Sequence, residues 1–505
     1  MTKVFIVIEN SQAKIVGKIP NDLNLALPNL LGYRKKAMDQ YGQLTYRLYT
    51  KYDRLKKTVP VGLADRLIKT IENLGYECKI LDKRTPNLID LETVIKNMKD
   101  FSFDLRPYQK QAFLEGLEET LMTFSMATGA GKTIVFGALA YGMGLKTLIL
   151  INREDIMTQH YNTMKKIFPP GSVGLIQGQK LEYDSQICIG MIQTLNARLK
   201  QTGKRASNPK YRATKFLKGV EYVISDECHH SQSKTWKRII NLCKNKRYHH
   251  GFSGSPWDTG SANLELETVC GAIKYKVTTS DLINQGWLAT PSITFHKYDG
   301  NDDPMTGGGF QNMYTNVIVD NIKRNNAIIE IIQNEYENTD RKMLVVVNRI
   351  RHGHIIGNML REVGIDDREI GYLHGSKGKI VRERGKAKFE QGKIRILIVS
   401  NIFNEGIDIP SCDCLVKCDA LGGGESVQES EGIRSFVQQI GRVLRKPKRS
   451  DERDIDTNIR HRVYVHDFID KQNKYVKQHT KNRIHTCRQE KAFDITVEGA
   501  IVKLS

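Results

Sequence analysis

Two hydrophobic patterns alternate along the chain. Short, continuous apolar runs occur at Leu121–Met126, Thr147–Ile151, Ile187–Met191, Tyr222–Ser225, Met343–Val347, Ile394–Val399 and Cys414–Val416. Between them lie stretches with apolar residues at helical spacing. A run with no polar face suits a strand covered on both sides, so the alternation predicts βαβ units and parallel sheets. The runs form two groups. Just after a boundary near residue 290, Asp299–Phe310 is rich in Gly and Asp, contains Pro304, and reads as a loop or linker. Residues 1–95 are patterned differently. Val4–Ile8 and Ala13–Gly17 predict a hairpin, Leu44–Tyr49 a strand, Val61–Leu74 a helix stopped by Gly75, and Cys78–Leu81 a closing strand. The aromatics of Tyr46–Tyr52 read as strand core. The fold class expected is α/β in three parts: a small α/β N-terminal domain at 1–95, one parallel-sheet domain at 96–290, and a second at 291–505 ending in a basic tail.

The 505 residues suit three domains at roughly 100–200 residues each. The make-up, 40% hydrophobic and 26% charged, is that of a globular protein and excludes a fibrous or wholly disordered one. No run reaches the ~18 apolar residues of a membrane helix. Val4–Ile8 is too short for a secretory signal, so a cytoplasmic location is expected. Lys and Arg total 77 against 56 Asp and Glu, a formal charge of +21. Such an excess favours a polyanionic partner. With no basic amphipathic helix in view, nucleic acid is preferred over a membrane. Arg198–Lys218 holds eight basic residues and no acid. It reads as a flexible surface loop in which Lys204 and Arg205 would touch phosphates. Nine scattered cysteines argue against a disulfide framework. Cys412, Cys414 and Cys418 cluster, but they read as small apolar residues of a buried strand. No fourth ligand lies at zinc-like spacing, so no metal is expected there.

Three constellations carry chemistry. Thr128-Gly129-Ala130-Gly131-Lys132-Thr133 follows a strand-like run and precedes a helix-like stretch, Ile134–Tyr141. Glycines let backbone amides curl around phosphates, the helix N-terminus adds its positive end, Lys132 reaches the β and γ phosphates, and Thr133 binds Mg²⁺. A strict phosphate loop wants Gly where Met126 stands; a flexible turn is the competing reading. Asp226-Glu227-Cys228-His229 follows Tyr222–Ser225 directly. Asp226 would hold the Mg²⁺ and Glu227 would deprotonate the attacking water, against the plainer reading of a helix cap. Gln438-Gln439-Ile440-Gly441-Arg442-Val443-Leu444-Arg445 places Arg442 and Arg445 three apart on one helix face, either to steady transition-state charge or as ordinary surface cations.

Taken in order, these elements resemble the superfamily 2 nucleic-acid helicases and translocases. Leu105-Arg106-Pro107-Tyr108-Gln109 resembles the adenine-reading element, which implies base contacts from Arg106 and Gln109. Asn152-Arg153 with Gln159 resembles motif Ia, and Gln193-Thr194 the next nucleic-acid-contacting element. Asp226–His229 is similar to motif II in a DECH form, which makes His229 a link between ATP site and closure. Ser253-Gly254-Ser255 stands where the family has Ser-Ala-Thr, implying coupling roles for Ser253 and Ser255. Asn348-Arg349, His374-Gly375, Ser400 with Gly406-Ile407-Asp408, and Gln438–Arg445 resemble the remaining motifs. The resemblance implies two tandem RecA-like domains closing on ATP and Mg²⁺, with Gly406, Asp408, Gln438, Arg442 and Arg445 on the second wall. Arg153, Gln193, Thr194, Arg349 and Ser400 would grip nucleic acid. The small basic N-terminal domain narrows the likeness to the phage UvsW-type branched-DNA helicases, of the kind carried by T5-like phages. That implies fork regression, branch migration and unwinding of D- or R-loops. It also implies DNA as partner, RNA–DNA hybrids as further substrates, no membrane, a monomer, and the host cytoplasm as location. An RNA helicase, a restriction-enzyme motor subunit and a non-catalytic nucleic-acid scaffold are the rivals.

Overall fold

The structure is a computed structural model. It describes residues 2–38, 43–84, 89–201, 209–254, 261–303, 309–400, 412–422, 436–437, 439–444, 462–498 and 500–501. Two compact units divide the chain, residues 1–126 with 131–276, and residues 127–130 with 277–505.

The first unit holds two sheets and a ribbon. The N-terminal sheet runs β5-β2-β1-β6, from β1 (Lys3–Ile8), β2 (Gln12–Val16), β5 (Thr58–Pro60) and β6 (Glu77–Asp82). The predicted hairpin is β1–β2, and the predicted closing strand β6 lies parallel to β1. Its core draws Ile6, Ile15, Leu27, Leu67 and Ile71 together with Leu264 from helix Ser261–Cys270. That helix fastens the sheet. Gly62 sits so close that a Cβ there would overlap the Glu267 carbonyl, and Arg66 makes a two-pronged bond to Glu267 at 2.5 and 2.6 Å. These contacts explain why residues 1–95 fall in the same unit as the larger sheet.

Among the described residues, strands β3 (Gly32–Met38) and β4 (Leu44–Thr50) pair only with each other. Every residue of β4 is exposed. Here the sequence reading needs correction: Tyr46 is 61% and Tyr49 41% exposed, and of these aromatics Tyr52 alone is buried. An aromatic-rich strand looks like core, but a two-stranded ribbon has no second layer to cover it.

The larger sheet runs β10-β9-β11-β8-β12-β13-β7-β14, from β7 (Leu121–Met126), β8 (Thr147–Ile151), β9 (Val173–Gln177), β10 (Lys180–Leu181), β11 (Ile187–Met191), β12 (Tyr222–Asp226), β13 (Tyr248–Ser253) and β14 (Ile273–Val277). Its central pairings are parallel. Helices Ile192–Lys200, Pro209–Gly219 and Lys234–Leu242 cover one face through Leu195, Leu199, Phe216, Leu217, Ile239 and Ile240. The first two of these helices correct the expected basic loop. Pro209 opens a helix at the position where its missing N–H costs nothing. Ala213, Phe216 and Leu217 then bury one stripe while Arg212, Lys215 and Lys218 stay on the other.

The second unit is built on β17-β18-β16-β19-β20-β15-β21-β22, from β15 (Thr290–His296), β16 (Met343–Val347), β17 (Ile370–Leu373), β18 (Ile396–Ser400), β19 (Cys414–Lys417), β20 (Arg462–Phe468), β21 (Asp494–Val497) and β22 (Ala500–Ile501). All pairings but β21–β22 are parallel. Helix Thr279–Asn284 belongs here, ahead of the expected boundary near 290, because Ser280 donates to Glu490 through both its amide and its hydroxyl. All nine cysteines are free.

Candidate active site

Three parallel neighbours, β12, β13 and β7, bring their C-terminal ends to one edge. From β7 the chain turns into helix Lys132–Met143. Gly129 (φ +87°) and Gly131 (φ +75°) take the left-handed conformation that the turn requires. At Gly131 a Cβ would also stand 2.5 Å from Gln109 Nε2, so Gln109 lies against the turn. Gln109 Oε1 accepts from the Arg106 amide at 3.0 Å, part of the capping box that starts helix Pro107–Glu118, and Arg106 donates to the Tyr108 hydroxyl at 3.1 Å. The sequence-predicted base contacts are thus held beside the predicted phosphate turn.

Glu227 follows β12 in a left-handed backbone (φ 44°, ψ 56°). For a non-glycine residue this stores about 1–3 kcal/mol of strain, of the kind concentrated at functional sites. Its side chain joins a connected cluster. Lys132 Nζ lies 3.7 Å from Oε1, too far for a hydrogen bond. The Ser253 hydroxyl donates to Oε2 at 3.1 Å. His229 Nδ1 is 3.3 Å from Ser253 Oγ and 3.4 Å from Glu227 Oε2. Lys132, Glu227, His229 and Ser253, picked from three separate motifs, meet here.

A second cluster adjoins it. His160 Nε2 lies 2.7 Å from Asp226 Oδ2, and His160 Nδ1 lies 3.1 Å from Thr133 Oγ1. A carboxylate only accepts, so Nε2 carries the proton; in the neutral ring Nδ1 then accepts the Thr133 hydroxyl hydrogen. Burial pushes the Asp226 carboxyl up, but the neighbouring His160 and Lys132 outweigh it and hold it below the usual carboxylate range. Asp226 Oδ1 is buried with no hydrogen bond. Two oxygens, Asp226 Oδ1 and Thr133 Oγ1, therefore keep lone pairs uncommitted, which is what a hard divalent cation takes. The residues present fit the Mg²⁺ expected at Thr133 and Asp226.

The expected nucleic-acid residues are spread over both units. In the first, Arg153 precedes helix Glu154–Ile167 after β8, with no capping bond from its side chain. Gln193 Nε2 donates to the Asn152 carbonyl at 2.9 Å, and Thr194 Oγ1 accepts from the Gly178 amide at 3.0 Å. A cavity of about 460 Å³ opens among Asn152, Gln193, Asn196, Lys200, His230 and Trp236. In the second, Ser400 ends β18 beside Val347. Arg349 donates to Gln311 and lies 5.8 Å over the Tyr314 ring. Arg442 is half-buried in a helical stretch. Its neighbour Gln439 bridges a buried pair, donating to Asp419 and accepting from Lys417, each at 3.3 Å. Thr128 and Ala130 are described residues of the turn; Lys204, Arg205, Ser255, Gly406, Asp408, Gln438 and Arg445 lie outside the described residues.

The model of the family described as "Type III restriction enzyme, res subunit" matches residues 102–257, and that described as "Helicase conserved C-terminal domain" matches residues 323–447. The chain is a superfamily 2 helicase. An ATP-dependent DNA helicase of Enterobacteria phage T4 is 26% identical to it over 443 residues, 82% of this chain and 81% of the relative. A probable helicase of Escherichia phage T5 is 26% identical over 74% of this chain and 75% of its own length. A putative ATP-dependent helicase of Saccharomyces cerevisiae is 25% identical over 64% of this chain, which spans less than half, 46%, of that protein. Among solved structures, a fragment of a putative HsdR subunit of a type I restriction enzyme from Vibrio vulnificus matches with a TM-score of 0.56 at 16% identity, over 90% of this chain and 88% of that one. The helicase MrfA bound to DNA matches with 0.55 at 14%, over 79% and 51%. These two likenesses show the fold alone. No described helix of the helicase is long and apolar enough to cross a membrane.

Sequence reasoning passed over His160, which the structure sets between Asp226 and Thr133. Gln159 drew notice instead, for its likeness to motif Ia. The signal was a histidine on an amphipathic helix between the two phosphate-site motifs, but only the fold shows which helix face meets the strand ends. His249 and His250 have buried hydrogen-bonding roles in the sheet. His249 bonds Ser225, and His250 bonds Tyr222 and the Glu119 carbonyl.

Proposed function

We propose that this helicase couples ATP hydrolysis to the remodelling of branched DNA: fork regression, branch migration of four-way junctions, and unwinding of D- and R-loops. The observation that carries the reading is the joined cluster of Lys132, Glu227, Ser253 and His229 beside Thr133, His160 and Asp226. It sets a lysine, a glutamate carboxylate and two oxygens with uncommitted lone pairs at one strand edge, which supports the reading. Lys132 exchanges its loose pairing with Glu227 for the β and γ phosphates, and Glu227 becomes free to take the proton of the attacking water. Backbone amides of Thr128, Gly129, Ala130 and Gly131 cradle the phosphates, and Arg106 and Gln109 read the base. Thr133 and Asp226 would hold Mg²⁺, which neutralises phosphate charge when bound. Ser253, with Ser255, and His229 sense the state of Glu227 and pass it on. Gly406, Asp408, Gln438, Arg442 and Arg445 serve the nucleotide from the second unit, the arginines steadying the transition state. Arg153, Gln193, Thr194, Lys204, Arg205, Arg349 and Ser400 hold the nucleic acid.

The phage T4 relative, matched along most of both chains and named a DNA helicase, supports DNA over RNA. The +21 charge supports a phosphate-gripping, salt-sensitive contact. We place the protein as a monomer in a host cytoplasm. The test is ATP turnover with linear duplex, single-stranded DNA, a four-way junction and structured RNA, with Lys132→Ala as the control. Strongest stimulation by the junction is expected. Stimulation mainly by RNA overturns the choice of substrate, and no stimulation by any of them overturns the motor reading.

A further inference from the structure

The second unit brings together three side chains of metal-binding type that lie well apart in sequence. Glu335 comes from helix Ile322–Asn338, Cys414 from β19 and His466 from β20. All are buried, and their donor atoms lie within 4.8 Å of one another. The register explains the meeting. Cys414 pairs with Tyr464 and Val416 with His466, so Cys414 and His466 share one face of neighbouring strands, and the helix lies over it.

Hydrogen bonding fixes which atoms point inward. Glu498 Oε1 lies 2.9 Å from His296 Nδ1, and His296 Nε2 lies 2.9 Å from His466 Nδ1. A carboxylate only accepts, so His296 carries its proton on Nδ1. In the neutral ring His296 Nε2 carries only a lone pair. Its Nε2 is then an acceptor, and His466 donates from Nδ1. A neutral His466 is left with a bare lone pair on Nε2, which is buried, has no hydrogen bond, and faces Glu335 Oε1 at 3.5 Å. Nitrogen lone pair, carboxylate oxygen and cysteine sulfur thus converge on one point. Facing acceptors repel unless a proton or a cation sits between them.

We propose that Glu335, Cys414 and His466 bind a borderline-soft divalent cation, zinc or a metal of like preference, and so clamp helix Ile322–Asn338 to β19 and β20. The donor set decides the class. One thiolate, one imidazole and one carboxylate suit zinc, whereas calcium and magnesium take oxygen. Tetrahedral zinc sets its ligands about 3.4–3.7 Å apart; Glu335 and His466 already stand at 3.5 Å, and the cysteine sulfur lies within 4.8 Å of both. A 2+ ion with a thiolate and a carboxylate is neutral, which suits burial. Binding releases the Cys414 proton, and any proton on His466, to solvent. Each outward ligand atom is already held: Arg341 donates to Glu335 Oε2 at 2.7 Å, and His296 takes the proton of His466 Nδ1. Such outer contacts orient metal ligands.

The test uses the full chain, stripped with a chelator and titrated with Co²⁺ as probe. One equivalent should give thiolate-to-cobalt charge-transfer absorption with tetrahedral d–d bands, and Zn²⁺ should displace it. Cys414→Ala should remove the sulfur band and weaken binding at least tenfold while DNA-stimulated ATP turnover persists. Glu335→Gln should also weaken binding at least tenfold, and decides the matter should Cys414→Ala fail to fold. Absence of a stoichiometric sulfur band in folded protein, or a band that survives in Cys414→Ala, overturns the site.

Discussion

Both units bury charge at the ends of parallel strands, and they treat it in opposite ways. In the second unit two buried arginines are saturated. Arg324 gives Nε and Nη2 to Asp470 at 2.8 and 3.3 Å and Nη1 to the Cys418 carbonyl at 3.0 Å. Arg483 gives Nε to Asp467 at 2.8 Å, Nη1 to the Ala420 carbonyl at 2.6 Å and Nη2 to the Phe468 carbonyl at 2.9 Å. Both arginines are wholly buried. In the first unit the charge is left partly unanswered: Asp226 Oδ1 has no hydrogen bond, and Lys132 stands off from Glu227 at 3.7 Å. Saturated charge has one arrangement and holds a scaffold. Unsaturated charge at a comparable depth is poised to take a ligand.

The widest gap between the two should appear in Glu227→Gln. ATP turnover should fall about 10²–10⁴-fold, the range for losing a general base, with nucleotide binding and melting temperature kept. Arg483→Ala should do the reverse, costing about 3–5 kcal/mol of stability by leaving Asp467 buried without its partner. Denaturant unfolding reads it, and a loss below 1 kcal/mol would dissolve the contrast. Acid should act on both units alike. Burial pushes His250 in the first unit and His352 in the second down to about 3. Between that value and the unfolded value near 6.5 the unfolded chain binds the extra proton, so stability is full above about pH 6.5 and is lost as pH falls. At pH 5 each group costs about 2 kcal/mol. His250→Gln should flatten the pH dependence of unfolding over that window. The smallest effect belongs to His160→Ala, which removes a positioning contact. Turnover should drop about 10–100-fold, the usual range for a residue behind a metal ligand. The Mg²⁺ concentration for half-activity should rise, and a structural role alone would leave it unmoved.

The same contrast explains what was legible in the sequence. Continuous apolar runs mark strands buried on both faces, so β7, β8, β11, β12, β16, β18 and β19 were visible, with the phosphate turn and the acidic pair at their ends. What pattern could not supply was direction. The stretch around Pro209 showed its charges, while its helical stripe of Ala213, Phe216 and Leu217 was too sparse to outweigh them. The tyrosines of β4 looked buried because nothing in a strand's own residues says whether a second layer covers it. Glu335, Cys414 and His466 lie in three separate segments, and only the parallel register of β19 with β20 brings the last two onto one face.

The order of the second sheet also bears on how the protein is made. β15, the first strand of that sheet to be synthesised, lies between β20 and β21, and its residue His296 bonds His466, 170 positions later. At roughly 5–20 residues per second on a ribosome, β15 waits about 10–30 s for its neighbour. Both its edges stay unpaired during that wait, an open template for other strands. The first unit, whose β7 meets β13 much sooner, closes while the second is still being spelled out. Slow translation across residues 300–460 would therefore tax this protein's yield more than its finished stability.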